Sequence, residues 1–168
     1  DKGVEVGPLI NAKAMQAVDN LVQTSIAQGA ELVLGGKPHP LGGSFYSPTI
    51  LKNVTNDMPI AIEEIFGPVA PLIPLTTEEE AVQLANDTPF GLAAYFYTRD
   101  IGRMWRVSEG LEYGMVGINE GIISNAAAPF GGMKESGLGR EGSRHGMDEY
   151  LEMKYLCVGG IDSYVTLQ

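Results

Sequence analysis

An α/β fold with a largely parallel sheet flanked by helices is what this 168-residue sequence predicts. Short apolar runs of strand character alternate with helical patterns along most of the chain. Leu92-Ala-Ala-Tyr-Phe-Tyr97 is a near-continuous apolar run of the type found in strands buried on both faces. Met15, Val18, Val22 and Ile26 recur at the spacing of one helix face turned to a core.

Each element has its own warrant. Asn11 is suited to cap the first helix, and Gly29 sits where a helix-ending glycine belongs. Glu31–Leu34 is a short strand closed by Gly35-Gly36, and a Pro- and Gly-rich loop with His39 follows. Ser47–Leu51 is expected as an edge or short strand, because Pro48 cannot donate to a ladder. Beyond Glu63–Pro68, residues Val69–Leu75 form an apolar strand. Thr77 with Glu80 is a capping box opening a helix to about Asn86. After the turn at Asp87–Gly91 and the run 92–97, Asp100 caps a helix through Val107 that ends before Gly110. Tyr113–Ile118 is another strand, and Asn119 begins a long loop. A short helix is expected around Arg144–Glu149.

Tyr150–Val158 reads as a final half-buried strand. Leu151, Met153, Tyr155 and Cys157 share one face, with Glu152 and Lys154 on the other. A terminal strand with one apolar face and a free edge invites pairing with a second chain. Ile161–Gln168 reads as a loose tail.

Composition narrows the function. Eleven basic against 21 acidic residues leave a net charge of −10, which argues against a nucleic-acid or anionic-membrane surface. A 44% hydrophobic content with mixed charge is that of a globular chain. No apolar run approaches the roughly 18 residues of a membrane span. The single cysteine, Cys157, excludes an internal disulfide and fits a reducing compartment, the cytoplasm or a mitochondrial matrix. Alternating with apolar residues, it reads as a small buried hydrophobe. His39 lies in a loop and His145 has no second ligand at a metal spacing, so no metal is expected.

The stretch Ala128-Pro-Phe-Gly-Gly-Met-Lys-Glu-Ser-Gly-Leu-Gly-Arg-Glu141 keeps four glycines in fourteen residues. Glycine costs about 0.5–1 kcal/mol relative to alanine inside a helix or strand, so this is neither. A long loop inside a compact domain is functional or disordered, and Phe130, Lys134, Arg140 and Glu141 give this one anchors. Its Gly137-Leu-Gly139-Arg-Glu-Gly142 matches G-x-G-x-x-G but neither follows a strand nor opens a βαβ unit, as a dinucleotide fingerprint must.

That stretch resembles the C-terminal signature of the aldehyde dehydrogenase family. Glu63-Glu64-Ile65-Phe66-Gly67-Pro68 is similar to the family's cofactor-clamping motif, and the order and separation of the two match. Gly121–Asn125, Gly139–Ser143 and the residues through Tyr155 are most similar to succinate-semialdehyde dehydrogenases. The resemblance implies that residues 1–149 are the C-terminal part of a catalytic domain, 150–160 an oligomerisation strand and 161–168 a tail. It also implies an NAD or NADP cofactor, a small semialdehyde substrate and a homo-oligomer, dimer or tetramer. The implied reaction oxidises succinate semialdehyde to succinate by cysteine attack, hydride transfer and thioester hydrolysis. In the family the cysteine and the general-base glutamate lie upstream of such a segment, so the fragment alone is expected to be inactive.

Individual roles follow the same way. On residues alone Glu64 is a surface carboxylate beside a core phenylalanine. The resemblance gives it the nicotinamide ribose, whose two hydroxyls an acceptor-only carboxylate can receive, and sets the Phe66 ring near the nicotinamide. Ser124 and Phe130 correspond to the aldehyde tunnel. There a serine hydroxyl suits a substrate carboxylate, although a serine beside Asn125 is also a common turn former. Glu141 corresponds to a residue supporting proton relay, while Lys134 and Arg140 fix the loop. Two other readings stay open: a non-catalytic binding or assembly module, and a dehydrogenase for a related semialdehyde.

Overall fold

The computed structural model describes residues 3–160, and the chain divides into two compact units between Thr88 and Pro89. It is α/β throughout. Two of its three strand pairings are parallel.

In the first unit, helix α1 (Ala12–Ala27) starts where Asn11 Oδ1 accepts from the Ala14 N–H at 2.8 Å. It ends where Gly29 takes a left-handed φ of +110°. Val18 and Val22 of the apolar stripe are buried, and Met15 and Ile26 pack against the same core. Strands β1 (Glu31–Leu34), β2 (Thr49–Lys52) and β3 (Val69–Pro71) form a sheet in that order, β1 antiparallel and β3 parallel to β2. The 47–51 strand is therefore central, not an edge. Pro48 falls one residue before the first paired position, Thr49, so its missing N–H removes no rung. The buried Thr49 hydroxyl accepts from Gly36 N–H and donates to the Ser47 carbonyl, each at 2.8 Å. The expected strand 69–75 stops at Pro71.

Two further helices complete this unit. The one-turn helix α2 (Pro59–Ile62) has Pro at its first position and buries Ile60; four residues are too few to show a period in sequence. Helix α3 (Glu78–Asn86) is capped by Thr77, whose hydroxyl oxygen accepts from the Glu80 N–H at 3.1 Å. The Glu80 carboxylate reaches back one residue further than the capping box requires, to the N–H and hydroxyl of Thr76 at 2.7 Å. The core joins Val18, Val22, Ala30, Tyr46, Leu51, Val54, Met58 and Ile60. Burial, and then the hydrogen bond it donates to Asp19, push the Tyr46 phenol well above its ordinary pKa.

The second unit is built on a β-α-β segment: β4 (Ala93–Phe96), α4 (Ile101–Gly110) and β5 (Met115–Ile118). The two strands pair in parallel, Ala93 with Met115 through Phe96 with Ile118, as the intervening helix permits. Asp100 caps α4 through the Arg103 N–H at 2.6 Å, and the helix runs on to Gly110 rather than stopping at Val107. The run 92–97 is not buried on both faces. Tyr95 and Tyr97 are 49% and 71% exposed, because a two-stranded sheet has only one face covered.

Two 3-10 turns, Lys134–Ser136 and His145–Tyr150, punctuate the glycine-rich region, the second in place of the expected α-helix. Residues 151–160 carry no strand pairing. Leu151, Met153 and Tyr155 are 64%, 101% and 87% exposed, and Cys157 is exposed rather than buried. Their alternation is real, but among the described residues no neighbouring strand gives the apolar face something to cover. The tail expected at 161–168 lies outside the described residues. Among those residues no helix is long and apolar enough to cross a membrane.

Candidate functional site

Two groups of the expected site residues lie in separate units. In the first, the chain leaves α2 at Glu63 and crosses to β3 with bends at Glu63 and at Gly67-Pro68. Ile65 packs onto the core, while its neighbours Glu64 and Phe66 are exposed, the Phe66 side chain 81% so. Both ends of this crossing are fixed. At the near end Glu63 N–H donates to the Pro59 carbonyl at 2.8 Å, and at the far end Thr49 N–H donates to the Pro68 carbonyl at 2.9 Å.

Between them Gly67 lies hard against α1. A Cβ there would come within 2.7 Å of a Val18 methyl. Phe66 has a φ of +43°, an unusual conformation for a bulky side chain and one that persists only where the surroundings impose it. The result is a carboxylate and an aromatic ring, two positions apart in the chain, both presented to solvent. The pair can receive two vicinal hydroxyls and flank a planar ring.

In the second unit the long loop leaves β5 at Asn119. Ser124 is exposed. The turn beside it is made by Asn125, whose Oδ1 accepts from Ala127 N–H at 2.9 Å while its carbonyl accepts from Ala128 N–H at 3.0 Å. Phe130 and Glu141 are brought together: each N–H donates to the other's carbonyl, at 2.9 and 2.7 Å. They line an open cleft of about 520 Å³ with Arg140, Glu149 and Tyr150. Ser124 does not line that cleft.

Arg140 Nη1 donates to the Gly132 and Gly139 carbonyls at 2.8 and 2.6 Å, and Lys134 Nζ stands 2.7 Å from a Glu112 carboxylate oxygen. Both cations thus fix the loop. Burial raises the pKa of the nearby Tyr113 phenol, an effect the charge of Lys134 opposes. Among the described residues no group of three His, Cys, Asp or Glu side chains is gathered to hold a metal.

Two further residues support the site, Gly114, which no sequence pattern marks, and Asn119, which the sequence marks as the start of the loop without its conformation. Gly114, at the entry to β5, has no room for a side chain, since an added Cβ would stand 2.0 Å from the Gly131 carbonyl oxygen. Its partner is seventeen positions along the chain, beyond any local pattern. Asn119 has a φ of +56°, a conformation asparagine adopts more readily than most residues. An asparagine directly after an apolar strand was the available signal.

A model of the aldehyde dehydrogenase family matches residues 1–156. The chain belongs to the aldehyde dehydrogenase family. A succinate-semialdehyde dehydrogenase, mitochondrial, of Oryza sativa subsp. japonica is 59% identical over 162 residues, covering 96% of this chain and 31% of that protein. The solved succinate-semialdehyde dehydrogenase of Burkholderia pseudomallei, also 59% identical, superposes with a TM-score of 0.91 over 94% of this chain and 33% of its own. An indole-3-acetaldehyde dehydrogenase solved with NAD+ is 42% identical, with a TM-score of 0.87 over 92% of this chain and 32% of its own. The aldehyde dehydrogenase chain thus spans about a third of the length of such relatives.

Proposed function

We propose that this chain is the part of an NAD(P)-dependent aldehyde dehydrogenase that follows the nucleophile, and that the parent oxidises succinate semialdehyde to succinate. The exposed pair Glu64 and Phe66, held between a core-anchored Ile65 and a wedged Gly67, carries the reading. A bound nicotinamide dinucleotide supplies the hydride acceptor. Glu64 accepts hydrogen bonds from its ribose hydroxyls, and Phe66 limits the position of the nicotinamide ring.

Phe130 forms a wall of the aldehyde pocket, Ser124 donates its hydroxyl to the substrate carboxylate, and Glu141 supports proton transfer at the pocket rim. Residues 150–160 pair with a second subunit in a homo-oligomer. The parent works in the cytoplasm or a mitochondrial matrix. The 168-residue chain alone does not turn over, because its one cysteine, Cys157, lies on the exposed extended segment.

The test is oxidation of succinate semialdehyde by the parent enzyme with NAD+ and with NADP+, wild type against Glu64→Gln. The carboxamide replaces one acceptor by a donor, so about a tenfold or greater fall in cofactor-dependent kcat/KM is expected. An unchanged value removes Glu64 from the cofactor site. A higher kcat/KM for a semialdehyde one carbon longer establishes the alternative substrate instead.

A further inference from the structure

We infer that Asn119 is a positioning residue, a side-chain rung that sets the direction in which the Ser124 loop leaves the sheet. The inference rests on the proposed role of that loop at the aldehyde pocket. The last paired residues of β4 and β5 are Phe96 and Ile118, and beyond them the strands part. The Asn119 N–H still donates to the Phe96 carbonyl at 3.0 Å. Its side chain then does what a further backbone pair would have done. Oδ1 accepts from the Thr98 N–H at 2.8 Å, and Nδ2 donates to the Thr98 carbonyl at 2.8 Å.

An amide group is the one side chain that offers a donor and an acceptor in the geometry of a peptide unit. Asparagine also tolerates the left-handed φ of +56° found here, so one residue both prolongs the ladder and turns the main chain out of it. Past the turn, Glu120 Oε1 gathers the N–H groups of Gly121 and Ile122 at 2.9 and 3.1 Å. The far end of the loop is held by the Phe130–Glu141 bridge. The span carrying Ser124 is thus pinned at both ends, and Asn119 is the pin made of a side chain.

The experiment uses the parent enzyme with Asn119→Gly and Asn119→Asp. Glycine keeps the left-handed backbone without strain and removes both side-chain bonds; aspartate keeps the acceptor and sets a carboxylate against the Thr98 carbonyl. Amide hydrogen exchange of residues 120–128 and the steady-state constants are read together. Both variants are expected to exchange faster in that span and to raise KM for the semialdehyde about tenfold. Cofactor KM and kcat are expected to stay within about twofold.

Exchange and KM matching wild type in Asn119→Gly overturn the inference, and Asn119→Asp decides if the glycine variant does not fold. A rise in cofactor KM equal to that for aldehyde also overturns it, since that is general loosening. If the wild type oxidises no semialdehyde, the functional reading fails and the exchange result alone judges the rung.

Discussion

Two glycines show how much can rest on an absent side chain. Gly114→Ala would drive a methyl into the Gly131 carbonyl, 2.0 Å from where its Cβ must stand, and backbone cannot step aside as a side-chain tip can. It is expected to destabilise the protein by at least about 2 kcal/mol in urea unfolding, the range of overpacked cores. Gly121→Ala is the control, its added carbon meeting the Tyr97 hydroxyl at an ordinary 3.7 Å. At Gly67 the obstruction is the Val18 side chain, so it can be relieved. Gly67→Ala is expected to raise cofactor KM about tenfold by displacing Glu64 and Phe66. Adding Val18→Ala should recover part of that loss although it destabilises the core; a simple sum of the two effects would deny the coupling.

Among the elements, what the sequence shows well is what is local. Asn11, Thr77 and Asp100 each cap a helix through an N–H three residues along, a distance that a motif can encode. Strand positions were visible too, but not their places in a sheet: Pro48 suggests an edge until the register shows it just outside the ladder. Likewise the Glu64–Phe66 pair stands out as a motif, whereas the wedge of Gly67 on α1 joins residues about fifty positions apart.

Helix α3 offers a test at this scale. Thr77→Ala should cost about 1 kcal/mol in equilibrium unfolding. The hydrogen bond from the Thr76 hydroxyl, with one from its N–H, holds the Glu80 carboxyl below its usual range. Its contribution is therefore present above the unfolded-state pKa and is lost as pH falls through the folded value. Protection at the start of α3, measured relative to intrinsic exchange at each pH, should fall across that acid window in wild type and stay level in Glu80→Gln.

For the molecule as a whole, residues 151–160 dominate what remains to be satisfied. Their exposed side chains and extended backbone, free of strand pairing among the described residues, suit addition to a strand of another subunit. Met153→Lys with Leu151→Lys in the parent should shift sedimentation toward smaller species; an unaltered profile would place the oligomer contact elsewhere. A half-buried strand was expected there from the alternation, but residues 151–160 are exposed throughout, and among the described residues none covers them.

The division between Thr88 and Pro89 has a further consequence. All residues proposed for the cofactor precede it, and all those proposed for the aldehyde follow it. A recombination breakpoint at that peptide bond would exchange Ser124 and Phe130 for another lineage's residues in a single genetic event while keeping Glu64 and Phe66. Chimeras joined there are the natural starting point for breeding new aldehyde oxidisers.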